Sequence, residues 1–186
     1  MAVAERQARY EDLFDLPENV IGEIIGGQLV TQPRPAPAHT RASSALGNKL
    51  GTPFDQGNGD GPGGWWILDE PELHLNNDIL VPDIAGWQRK RMPRLPETAY
   101  FGMAPDWVCE VLSPATTRTD RTLKMPLYAA AGVGHCWMID TTARTLEAYT
   151  NQAGHWLLLG TWADQDCAAI DPFAAVPLSL AGLWVD

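Results

Sequence analysis

The chain has 186 residues, 45% of them apolar and 19% charged, with a net charge of −10. That length suits one domain, here taken as 1–186 with a core at about 10–160, and the composition excludes a disordered or fibrous chain. No apolar run reaches the roughly 18 residues of a membrane helix, and the charged start MAVAERQARYEDLF lacks the apolar stretch of a secretion signal, so a cytoplasmic protein that makes no use of membranes is expected.

Cys109, Cys136 and Cys167 form no CxxC pair, which argues against a zinc site or a disulfide framework. His39, His74, His135 and His155 are scattered without metal-ligand spacing. The excess acid excludes a protein that coats nucleic acid with its whole surface. Locally the balance reverses. Between Arg89 and Lys124 seven basic residues face four acidic ones, so the run RKRMPR (Arg89, Lys90, Arg91, Arg94) is either a solvated loop or a phosphate-facing patch.

In chain order, residues 9–16 have the spacing of a short amphipathic helix before Pro17. VIGEIIGGQLVTQ reads as a hairpin turning at Gly26-Gly27. Residues 39–50 suit a helix, with Gly47 a modest penalty. The glycine-rich stretch 51–64 is expected as an exposed loop. It lacks the strand before and helix after that a phosphate loop needs, and also the spacing of a calcium loop. WWILDEPELHL then reads as a strand, and NDILVPDIAGW and APDWVCEVLS as central strands, each with one acid in its middle, Asp83 and Glu110. TDRTLKMPLYAAAGVGH is a helix candidate kinked at Pro126, followed by the strands HCWMID, ARTLEAYT and HWLLLGTW and a tail closing in a helical turn.

A carboxylate in an apolar strand needs a cation, a metal, hydrogen-bond donors or a proton. If the strands of Asp83 and Glu110 are neighbours, their hard oxygens can converge on Mg²⁺ or Mn²⁺, which activates water against a phosphodiester. The alternative is two acids satisfied separately by arginine and backbone donors. Lys124 shares a helical stripe with Leu127, Tyr128 and Ala131, so its ammonium either turns toward the sheet or extends into solvent. Asp120 is read as a cap for that helix, and Ser113 as a cap after its strand or a donor toward phosphate.

EIIGGQLV, VPDIAGW and PDWVCEVLSPATTRTDRTLKMPLYAAAGVGHCWMID together resemble the Uma-type restriction-endonuclease family, a branch of the PD-(D/E)XK nuclease superfamily. The resemblance implies a mixed α/β fold, a restriction-endonuclease-like mixed sheet flanked by helices, preceded by an N-terminal helix and hairpin. It also implies an endonuclease that hydrolyses DNA with Mg²⁺ or Mn²⁺. Asp83 stands at the Pro-Asp of the motif, Glu110 at its second acid, and Glu23 at an early glutamate that completes the metal site. Leu112 occupies the place of the motif lysine, so either Lys124 takes over the positioning of the nucleophile or catalysis is impaired. Arg89, Lys90, Arg91, Arg121 and Ser113 are the candidate phosphate contacts. Two alternatives stay open: a non-catalytic binding or assembly module, and a nuclease acting on RNA. A small acidic chain has little positive surface for a long DNA site, so a homodimer is expected.

Overall fold

The computed structural model describes residues 6–18, 20–57 and 61–185. A hairpin of β1 (Val20–Ile25) and β2 (Gln28–Pro33) turns at Gly26 and Gly27. Their φ values of 59° and 77° are the left-handed pair that a two-residue turn requires. Helix α1 (Pro37–Leu50) follows and continues into a π-helical turn (Gly51–Asp55). After it come β3 (Trp65–Asp69), β4 (Leu73–Leu75), β5 (Asp78–Leu80), β6 (Ile84–Gln88) and β7 (Trp107–Leu112).

Strand β7 pairs parallel with β8 (His135–Asp140), and parallel neighbours need a crossover. The crossover is helical: α2 (Thr117–Thr119), a π-helical turn (Asp120–Lys124) and α3 (Met125–Ala130). Strands β9 (Thr145–Gln152) and β10 (His155–Ala163) extend the sheet, and β11 (Cys167–Ala168) pairs with β12 (Leu178–Ser179). The main sheet runs β10-β9-β8-β7-β6-β3, and a second sheet runs β2-β1-β5-β4. No helix among the described residues is long and apolar enough to cross a membrane.

All six residues of β7 are buried, and their period of two divides the core. Trp107, Cys109 and Val111 face α1, where Ala42, Leu46 and Leu50 pack, while Phe173 lies about 5 Å from the Trp65 and Trp107 rings. Val108 and Leu112 face α3, where Tyr128 packs with Cys136 and Met138. Glu110 therefore looks toward the crossover helices.

Five local expectations differ from what is observed. The N-terminal helix is only a 3₁₀ turn (Tyr10–Leu13) with no buried residue, and an isolated segment this short has too few hydrogen bonds to offset the cost of starting an α-helix. The stretch 51–64 begins as the π-helical turn that closes α1, with Phe54 buried in the core, while residues 58–60 lie outside the described residues. NDILVPDIAGW is not one strand, since β5 and β6 belong to different sheets. Pro82 has no N–H for a ladder, and the N–H of Val81 goes to Glu23, so the chain breaks there and Asp83 lies in the break rather than within a strand. WWILDEPELHL breaks in the same way ahead of Pro71, where Glu70 adopts a φ of 45°. The tail closes with a strand pair and turns rather than a helical turn.

Candidate active site

The two sheets diverge at the break before β6, and a pocket of about 260 Å³ opens there between the hairpin, the start of α1, the end of β7 and the crossover. Asp83, Glu110, Asp120, Lys124, His39 and Arg34 are among the side chains that line it.

Lys124 is 1% exposed, and its ammonium has all three N–H groups occupied. They reach Glu110 Oε1 at 2.8 Å, Glu23 Oε1 at 3.0 Å and the Val81 carbonyl at 3.1 Å. Asp120 Oδ1 stands further off at 3.9 Å. Burial alone would lower the pKa of this amine, yet Glu110, Glu23 and Asp120 raise it, so it stays charged.

Glu110 also accepts a hydrogen bond from the Tyr128 hydroxyl at 2.6 Å. Burial raises the pKa of its carboxyl well above the ordinary value; Lys124 opposes this, and the negative charges of Asp120, Asp83 and Glu23 add to it. Burial likewise pushes Asp120 up to about 6. Glu23 is fully buried and does not line the pocket. Its Oε1 accepts the Val81 N–H at 2.8 Å and its Oε2 accepts Gln32 Nε2 at 2.6 Å, so it ties the hairpin to the ammonium. Asp83 Oδ2 accepts the Val111 N–H at 2.7 Å, and its Oδ1 accepts His39 Nε2 at 2.6 Å.

Residues 9–181 match the family model described as "Putative restriction endonuclease", named Uma2. The chain belongs to the Uma2 family. A solved structure from Anabaena variabilis ATCC 29413, titled as a putative nuclease belonging to DUF820, shares its fold. The TM-score is 0.74 at 23% identity, over 93% of this chain and 95% of that one. Among curated proteins none matches this sequence.

In the Uma2 chain the motif-lysine position, Leu112, is 2% exposed and packs in the apolar core beside Tyr128. Lys124 does not extend into solvent. Ser113 lines the pocket, and its hydroxyl accepts the Thr116 N–H at 3.2 Å, which organises the turn into α2. Asp120 does not cap the start of the helix, because the helical segment begins at Thr117 and Asp120 is buried at the head of its π-helical turn.

The other basic candidates lie away from the pocket lining. The Arg89 guanidinium stacks 3.7 Å from the Trp66 ring centroid, pairs with Asp55 and donates to the Trp65 carbonyl. Arg91 pairs with Asp106 at 2.8 Å and Arg121 with Glu147 at 2.9 Å, while Lys90 is exposed. Arg34, which sequence reasoning passed over, lines the pocket and donates to the Glu18 carbonyl. His39 was also missed, since its partner Asp83 lies 44 positions away. Tyr128 was visible only as a member of the Lys124 stripe.

The chemistry of this donor set suits a hard divalent cation. Three carboxylates, Glu23, Glu110 and Asp120, stand around one ammonium, and Asp83 lines the same pocket, so acidic groups outnumber the buried cation in a largely desolvated place. Among the described residues no three His, Cys, Asp or Glu side chains stand together as a ready-made cation cage. The Lys124 ammonium lies among the acids instead.

Proposed function

We propose that this Uma2 protein is an endonuclease that hydrolyses DNA phosphodiester bonds with the help of Mg²⁺ or Mn²⁺. The observation that carries this reading is the single pocket in which Asp83, Glu110 and Asp120 meet a buried lysine, in a chain of restriction-endonuclease-like fold. Asp83 and Glu110 would hold the ion, with Glu23 behind them. A bound ion supplies Lewis acidity toward a phosphoryl oxygen and a water acidic enough to ionise near neutrality.

The chain's own residues supply the rest. Val111 N–H and His39 orient Asp83, and Tyr128 and Lys124 orient Glu110. Lys124 places a fixed positive charge at the base of the pocket, which favours negative charge developing on a phosphate. Arg34 offers a cation at the pocket wall for an incoming phosphate. Two copies joined along the β10 edge would give the acidic chain a longer contact with DNA. Residues 155–163 carry no Asp, Glu, Lys or Arg, and Leu157, Leu158 and Leu159 on that edge are 41–49% exposed.

One observation favours the non-catalytic module: every Lys124 N–H already has a partner inside the protein, so none is free to hold a water. Nicking of supercoiled plasmid decides between the readings, with Mg²⁺, Mn²⁺ or a chelator and with single-stranded DNA and RNA in parallel. Cleavage that needs the ion and disappears in Asp83→Asn and Glu110→Gln supports the endonuclease. Wild-type protein inert on every DNA form sinks it, and cleavage of RNA alone moves the substrate class.

A further inference from the structure

The pocket of the proposed function is small, and its chemistry lies at the floor. Its volume of about 260 Å³ is below the roughly 300–1,000 Å³ of clefts that enclose one drug-sized ligand. Glu110 and Asp120 are 2% exposed, Lys124 is 1% exposed and the Asp83 side chain 16%. The exposed part of the lining is Arg34, Ala36, Glu70, Pro114 and Ala115, and these residues form the rim.

That rim is stiff and close to neutral. Pro35 and Pro114 have a fixed φ, and the turn after β7 is tied by Thr117, whose N–H and hydroxyl both donate to the Ser113 carbonyl, at 2.9 and 2.6 Å. Arg34 and Glu70 offset one another in charge, while Arg89 and Arg91 are engaged by Asp55 and Asp106. A duplex is gripped through several phosphates, roughly six to ten in strong complexes, each met by a cation. Among the described residues Arg34 is the only exposed Lys or Arg of the lining.

A duplex carries its phosphates on the outside of a rod that stays stiff over about 150 base pairs. It can lie across the rim with a phosphate on Arg34, yet while paired its backbone does not descend to side chains that are almost wholly buried. An unpaired strand is free of that constraint. One phosphate with its sugar and base can turn into the pocket, as in enzymes that draw a single nucleotide out of the stack.

We propose that this site, on the endonuclease reading above, cuts DNA only where the strand is unpaired, in single strands, flaps and melted stretches, and spares continuous duplex. Water adds across a P–O bond, leaving a phosphate monoester on one fragment and a hydroxyl on the other.

One labelled strand, offered to the full chain with Mg²⁺ or Mn²⁺, tests this in three forms: alone, as a blunt duplex, and as a duplex with a central run of mismatches. The single strand and the mismatched duplex should be cut about 100-fold faster than the blunt duplex, because the latter must first open its pairs. Cuts in the mismatched duplex should fall within the unpaired run, and Asp83→Asn should lose them. Negatively supercoiled plasmid should be nicked and then spared, since the first nick relaxes the underwinding that helps pairs to open. Blunt duplex cut within about threefold of the single-strand rate overturns the restriction to unpaired DNA and leaves the endonuclease reading standing. Cuts in the paired arms of the mismatched duplex do the same. Wild-type protein inert on all three forms, or active on RNA alone, overturns both.

Discussion

Asp83 Oδ2 accepts the main-chain N–H of Val111, the residue next to Glu110, so the carboxylate in the break before β6 is fastened to the strand that carries the second acid. The two acids keep their relative position through that bond rather than through ladder register, because Asp83 itself lies outside the ladder of β6 and β7. Asp83→Ala leaves the Val111 N–H without this partner and is expected to cost about 1–3 kcal/mol of stability. Asp83→Asn retains an acceptor oxygen and should cost less. Urea unfolding of the two variants side by side checks the order, and equal costs would contradict it.

Among the described residues Lys124 is the only cation in contact with two buried glutamates, Glu23 and Glu110. Lys124→Met should therefore destabilise the fold by about 3–5 kcal/mol, since it leaves buried carboxylates uncompensated. Combining it with Glu110→Gln should recover part of that loss, because the neutral amide no longer needs the ammonium. Thermal unfolding of the two single variants and the double variant measures the coupling, and strictly additive losses would remove the pairing from the account of stability.

Burial pushes the Asp120 carboxyl up to about 6, against the opposing pull of Lys124, so the folded chain binds that proton more tightly than the unfolded chain. The resulting contribution to stability is complete below about pH 4 and is lost as pH rises through about 6, a span of roughly 3 kcal/mol. Asp120→Asn should flatten this slope. Unfolding free energies taken in steps from pH 4 to 7 test it, and parallel curves for wild type and variant would exclude Asp120 as the source.

Arg89 and Arg34 should behave differently toward nucleic acid. Arg89→Ala removes a cation stacked on Trp66 and paired with Asp55, so about 1 kcal/mol of stability goes with it while salt sensitivity stays near that of wild type. Arg34→Ala at the pocket wall should weaken DNA binding and reduce the slope of affinity against salt by about one. Titrations of a fluorescent duplex at several salt concentrations distinguish the two, and an unchanged slope for Arg34→Ala would place the phosphate elsewhere.

The hairpin turn, the buried strand β7 and the crossover helix were legible because each is written in a few consecutive residues: a glycine pair, an apolar run with one acid, and an apolar stripe ending near Gly132. Asp83 and Glu110 were legible for a related reason, since a carboxylate in an apolar segment is conspicuous, whereas Asp120 lies in a polar stretch and was read as a cap. The path of the chain at Asp83 was not. Whether Val81-Pro82 continues one strand or divides two sheets depends on Glu23 capturing the Val81 N–H from 58 positions away. The ion pairs of the basic run 89–94 were not legible for the same reason, because Asp55 and Asp106 become neighbours of Arg89 and Arg91 only in the folded chain. His39 carried no local mark, and only tertiary packing brings it to Asp83.

Asp120 and Tyr128 are eight positions apart and both face inward. At the ordinary pitch of 3.6 residues per turn, that spacing would turn them about 80° from one another around the helix axis. The wider turn at Asp120–Lys124 absorbs roughly one residue of rotation, which brings the pair back to within about 20°. The crossover therefore has the form of a regular helix that has accepted a one-residue insertion. Deleting one of residues 121–123 would restore even pitch with the two seven positions apart, which still places them within about 20° and keeps the acid on the side of the tyrosine that steadies Glu110. The wide turn thus lets the segment hold one residue more without moving its pocket side chains, and a relative with a one-residue gap there and a plain α-helical turn would present the same two positions inward.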